Sequence, residues 1–173
     1  MILRCRGRPV PADYATGLGR PPERYTAGVT EDTTRRVVFL DIDGVLAPIR
    51  RLDRYGDLEP ACIGVLNEIV SSARADVVVS STWRHGRTVA ELQAMLEAEG
   101  FTGRVVDKTP TGAPGEEIAA WLAEHAVGGY VIIDDHLDMG ELRRELVLTH
   151  PGRGLQPADA RRAIEILLRA DGR

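Results

Sequence analysis

Lysine is almost missing from this chain. Of the 22 basic residues among 173, all but Lys108 are arginine. Acidic residues number 26, so the formal net charge is −4. That balance argues against non-specific binding to nucleic acid, which needs a basic footprint. Cysteine is equally scarce. Cys5 and Cys62 stand far apart with no second pair, which excludes the spacing of a zinc site and any disulfide framework. Cys62, on an apolar helical face, reads as a small core residue. No apolar run approaches the length of a membrane span, and the apolar start Met1-Ile2-Leu3 is too short for a signal peptide. No internal repeat or low-complexity segment stands out. The expectation is a cytoplasmic globular protein without a membrane or stable protein partner.

What is present begins after an unpromising stretch. Residues 1–34 hold four of the ten prolines and no periodic apolar pattern, so they read as an irregular extension. From Arg35 to the end, apolar runs alternate with helical spacings, which delimits one domain over residues 35–173. Val37–Asp41, Val77–Ser80 and Tyr130–Asp134 read as buried strands, and Arg104–Val106 and Leu146–Thr149 as short ones. Helices fall between them. Pro60–Ser72 carries Ile63, Leu66, Ile69 and Val70, with Pro60 suited to a first turn. Val89, Leu92, Met95 and Leu96 mark a second helix, stopped by Gly100. Ile118, Ala119, Trp121 and Leu122 face inward on a third, whose first turn holds Glu116 and Glu117, where the dipole favours acids. A fourth helix starts near Pro157. Strands separated by such helices predict a three-layer α/β sandwich around a mainly parallel sheet.

In a sheet of this kind ligands bind beyond the carboxyl ends of the strands. The first strand ends in Asp41-Ile42-Asp43-Gly44, the second in Ser80-Ser81-Thr82, the fourth in Asp134-Asp135. Each puts acids or hydroxyls where an apolar run has just stopped. Acids in that position are costly unless a cation or a reaction uses them.

These segments resemble the haloacid-dehalogenase (HAD) superfamily of phosphohydrolases, and within it the HAD domains of Swiss Army Knife RNA repair proteins. The resemblance rests on VVFLDIDGVL, DVVVSSTWR, EEIAAWL, YVIIDDHLDM and GLQPADARRAIEILL, in the family's order over roughly residues 36–170. It implies a Rossmann-like fold and a Mg²⁺-dependent phosphatase. Asp41 would be the nucleophile forming an aspartyl-phosphate, and Asp43 the general acid and base. Asp41, the Asp43 carbonyl, Asp134 and Asp135 would form the metal site, with Asp138 a further candidate or a plain helix N-cap. A hydroxyl holding the phosphoryl group would come from Ser81 or Ser80, with Ser81 preferred. Gly44, Thr82 and Arg84 would line the substrate position.

The cation that family members place before the fourth strand is missing from Gly112–Glu117. Lys108 and Arg84 are the two substitutes, and Lys108 is preferred. His136, beside the acids, is the one histidine expected near the site; His85 and His150 read as surface or loop residues. Trp121 reads as packing, and Trp83 as packing or a stacking platform for a base. The short segment after Gly44 leaves no room for a cap domain, so bulky phosphates such as nucleic-acid ends are the implied substrates. Arg50, Arg51 and Arg54 would edge the mouth. A receiver domain would want its acceptor acid after the third strand and a lysine after the fifth, and a dinucleotide-binding domain a G-x-G-x-x-G, so neither pattern fits. The non-enzymatic alternative is a HAD scaffold that binds phosphate, nucleotide or protein with little or no turnover.

Overall fold

The computed structural model describes residues 35–50 and 56–169. The expected N-terminal extension, Cys5, Arg51 and Arg54 lie outside the described residues. Strands β1 (Arg36–Leu40), β2 (Ala75–Val79), β3 (Val105–Lys108), β4 (Gly129–Asp134) and β5 (Leu146–Leu148) form one sheet in the order β3-β2-β1-β4-β5. Every pairing is parallel. Helices α1 (Pro60–Ala73), α2 (Val89–Ala98), α3 (Pro114–Glu124) and α4 (Pro157–Arg169) are the crossovers and the closing element.

Alternation along the central strand builds two cores. Val38 and Leu40 pack with Leu66 of α1, Leu92 of α2 and Leu167 of α4. Val37 and Phe39 point the other way, toward Ile118 and Trp121 of α3. Phe39 meets the Trp121 ring edge-on, with centroids 5.3 Å apart. The three-layer sandwich is therefore present, with three helices over one face and α3 over the other. Ala119 differs from the sequence reading: it is exposed, because α3 turns only Glu117, Ile118 and Trp121 fully inward. Asp138 caps no helix; the 3-10 segment Gly140–Glu145 begins after Met139 and has no side-chain cap. A capping box between Thr88 and Glu91 starts α2.

Register then positions the chemistry. Leu40 lies opposite Val79 on one side and Ile133 on the other, so Asp41, Ser80 and Asp134 come next in one row. The ladder continues into that row: Asp41 N donates to Ile133 O at 3.0 Å and Ser80 N to Leu40 O at 2.9 Å. Among the described residues no cap domain is inserted, and no helix is long and apolar enough to cross a membrane.

Candidate active site

The row of strand ends carries a concentrated negative charge. Asp41 is largely withdrawn from water and its carboxyl is pushed up to about 7. Burial is the main cause, the Asp134 carboxylate the second, and Asp135 adds to it. The Ser81 hydroxyl and the Ile42 N–H favour the charged Asp41 and offset only part of this. Asp134 is buried and also raised, again chiefly by burial, with Asp135 contributing.

A tight loop orients Asp43. The Ile42 carbonyl accepts from the N–H groups of Val45, Leu46 and Ala47, and Gly44 N donates to Ala47 O. Gly44 has φ +72°, and a Cβ there would stand 2.2 Å from Asp135 Oδ2. Glycine is thus required twice, by the left-handed backbone and by the carboxylate lying against it. Its carbonyl accepts from the buried Thr149 Oγ1 at 3.0 Å, which ties the loop to the residue after β5. Asp43 Oδ2 accepts from Trp83 Nε1 at 2.9 Å, while Oδ1 is buried without a protein partner.

Asp134, Asp135 and His136 converge, with one potential ligand atom from each within 4.8 Å of the others. Asp134 Oδ1 accepts from His136 N at 2.8 Å, and His136 Nδ1 lies 2.7 Å from Asp135 Oδ1. Partial burial disfavours the charged His136 ring, but the Asp135 and Asp134 carboxylates outweigh it and raise its pKa. The converging ligand atoms and the raised carboxyls of Asp41 and Asp134 fit a divalent, oxygen-seeking cation, which would neutralise the cluster.

The other expected site residues divide. Ser81 is buried and its hydroxyl contacts Asp41. Ser80 stands in the row itself, and its Oγ is buried with no partner. Thr82 is exposed at the start of the 3-10 turn Thr82–Arg84. Arg84 overturns its expected role. A guanidinium has five N–H donors, and all five positions are committed to the scaffold. Nε donates to Thr109 O, Nη1 to Ser80 O and Ser81 O, and Nη2 to Pro110 O and Glu117 Oε2. With its side chain 5% exposed, Arg84 has no donor left for a phosphoryl oxygen. Lys108 donates from Nζ to Arg87 O at 2.6 Å and to Arg84 O at 3.3 Å, leaving one of its three donors. Of the arginines expected at the mouth, Arg50 is described, and it pairs with Glu59 at 3.0 Å. Asp138, His85 and His150 are exposed. Trp121 is a packing residue whose Nε1 donates to Asp107.

The acid pair and the Asp134, Asp135 and His136 cluster thus stand together at the carboxyl ends of the central strands. The family model for the HAD domain in Swiss Army Knife RNA repair proteins matches residues 37–160, more than half of the chain. The chain belongs to this family. No curated protein matches it closely enough to count as a relative. The match opens on β1 and runs into the first turn of α4, so this HAD domain contains every residue of the acidic row.

Two features of the HAD domain escaped sequence reasoning. Glu117 reads as an acid favoured by a helix N-terminus, yet it is buried, paired with Arg84 and bonded by Thr109 Oγ1. The Trp83 indole packs against the core as expected and, beyond that reading, donates to Asp43. Both partnerships are long-range, 33 residues for Arg84 with Glu117 and 40 for Trp83 with Asp43, and local spacing carries no signal for either.

Proposed function

We propose that this HAD domain is a Mg²⁺-dependent phosphomonoester hydrolase acting through an aspartyl-phosphate on Asp41. The observation that carries the reading is Asp41 itself: a carboxyl pushed to about 7 by burial first and the neighbouring acids second, at a strand end with a second acid two residues on. Such a group is unfavourable to the fold and useful to a cation and a phosphate.

In this reading an Asp41 oxygen attacks phosphorus, and the bond to the leaving oxygen breaks as Asp43 protonates it. Asp43, now a carboxylate, takes a proton from water, whose oxygen attacks phosphorus and frees Asp41. Asp41, the Asp43 carbonyl, Asp134 and Asp135 would hold Mg²⁺, which screens the charge of nucleophile and phosphate as they approach. Lys108 remains the cation for the phosphoryl group, through its third donor, because Arg84 is saturated. Phosphate release by the full chain from 4-nitrophenyl phosphate should need Mg²⁺, vanish in EDTA and return on Mg²⁺ addition. Activity indifferent to EDTA would overturn the metal part of the reading.

The hydroxyls make a sharper expectation. Ser80 Oγ has no protein partner to lose, so Ser80→Ala should lower kcat/KM by roughly 10- to 100-fold with no loss of stability. Ser81 both contacts Asp41 and accepts from Trp83 N at 3.4 Å, so Ser81→Ala should cost about 1 kcal/mol of stability as well. Equal thermal stability in the two variants would remove the distinction.

The open sheet edge and the family's place in RNA repair proteins support phosphorylated nucleic-acid ends as substrates. Comparison of 3′- and 5′-phosphorylated oligonucleotides with sugar phosphates tests this; preference for a small sugar phosphate would end it. A second reading, a phosphate-binding scaffold with little turnover, draws on one observation. The groups that set the Asp41 titration include two acids and no cation.

A further inference from the structure

We propose that Trp83 is a positioning residue for the proton carried by Asp43, fixing which carboxyl oxygen delivers it. The inference rests on the hydrolase reading above and adds a residue to it.

The Ser81–Trp83 segment links nucleophile to acid. The Ser81 hydroxyl contacts Asp41 and accepts from Trp83 N, and the indole of Trp83 donates to Asp43 Oδ2 at 2.9 Å. Indole is a donor only. It can therefore neither take the Asp43 proton nor accept a hydrogen bond from it. A neutral Asp43 must carry its proton on Oδ1, the oxygen that is buried with no protein partner. A serine, asparagine or water in place of the indole could both donate and accept, and would let the acid present either oxygen. When Oδ1–H passes its proton to the leaving oxygen, the P–O bond breaks and Asp43 becomes a carboxylate. The same indole N–H then holds that carboxylate in place to accept a proton from water.

The surroundings hold the indole still. Trp83 packs against the core formed with α1 and α2. The Arg87 guanidinium lies 5.9 Å from its ring centroid, and Arg87 Nη1 donates to Trp83 O at 2.8 Å. A Cβ on Gly56 would be 3.4 Å from the ring, so Gly56 lies against the indole. The turn is anchored beneath by the five bonds of Arg84 and at its end by Lys108 on the Arg84 and Arg87 carbonyls. A buried ion pair under an exposed turn is explained if the turn must hold one side chain at a fixed distance from Asp43.

Leaving-group dependence in the full chain tests the proposal, since kcat/KM reports steps up to formation of the aspartyl-phosphate. In Trp83→Phe, and in the isosteric Trp83→benzothienylalanine that removes only the N–H, the loss should grow as the leaving group becomes more basic. It should stay within about twofold for 4-nitrophenyl phosphate and reach at least roughly tenfold for an alkyl phosphate. A uniform loss across leaving groups would overturn the proposal and indicate a structural or base-stacking role. The chain has two tryptophans, so indole N–H resonances are assignable with Trp121→Phe. The Trp83 resonance should move upfield in Asp43→Ala while that of Trp121 stays. If it does not move, the contact is absent and the proposal falls whatever the activity. If it moves but the unaltered chain hydrolyses no phosphate ester, the hydrolase reading has failed and the positioning role falls with it.

Discussion

Asp41→Asn will stop turnover and, at pH 8 without a divalent cation, make the fold harder to unfold. Loss of the nucleophile should lower phosphate release by roughly three orders of magnitude or more. The stability gain follows from linkage. Asp41 titrates near 7 when folded against an ordinary 3.8, so the folded state binds more protons than the unfolded state between those values. Stability from this group is therefore present at low pH and is lost as pH rises from about 4 through 7. Above pH 7 the unfavourable contribution of the ionised, uncompensated carboxylate is on the order of 4 kcal/mol, an upper figure. Asparagine removes the charge and keeps the shape, so the variant should melt several degrees above the unaltered chain at pH 8. The difference should shrink toward pH 4, where both forms are neutral at this position. It should shrink also on adding Mg²⁺, which stabilises only the chain that retains the charge. Thermal denaturation at pH 5 and pH 8, with and without Mg²⁺, reads all of this. An Asp41→Asn variant less stable than its parent at pH 8 in EDTA would show that Asp41 is a structural acid.

The parts of this site readable in the sequence share a cause. Asp41, Ser80 and Asp134 follow strands whose apolar runs leave no doubt about where they end, and parallel register aligns strand ends by necessity. Five strands and four helices, with boundaries shifted by a residue or two, follow from the same contrast between period 2 and period 3.6. The fate of Arg84 was not readable in this way. An arginine five residues past a strand end is within reach of phosphate or of the core, and sequence spacing does not distinguish the two. What decided it lies far along the chain: the Thr109 and Pro110 carbonyls after β3 and the Glu117 carboxylate on α3. The contact between Trp83 and Asp43 spans 40 residues and depends on the 3-10 turn, whose three residues carry no periodic signal. Long-range polar pairing is set by tertiary packing, and a single sequence records its members without their partners.

Arg84→Ala should be the most damaging single change in the domain, although the side chain touches no reacting atom. It leaves the Glu117 carboxylate buried beside Thr109 and removes the guanidinium bonds to four backbone carbonyls, of which Ser81 O keeps the N–H of residue 84. Removing one partner of a buried pair typically destabilises by about 3–5 kcal/mol, equivalent here to a fall in Tm of roughly 10 °C or more. Burial already holds the Glu117 carboxyl above its usual range despite Arg84, so an unpaired Glu117 would take up a proton rather than stay charged. The Arg84→Ala defect should therefore ease at low pH. Arg84→Lys should recover little, because three ammonium donors on a flexible stem cannot meet five acceptors arranged around a planar fork. Glu117→Gln keeps an acceptor for Thr109 Oγ1 and Arg84 Nη2 and should be intermediate. Activity should fall with stability, since Arg84 anchors the Ser80 and Ser81 carbonyls and the turn that bears Trp83. The competing outcome is specific. Arg84→Ala folding within 1 kcal/mol of the unaltered chain, with KM raised and kcat kept, would return Arg84 to the substrate and set aside the five bonds as its resting arrangement.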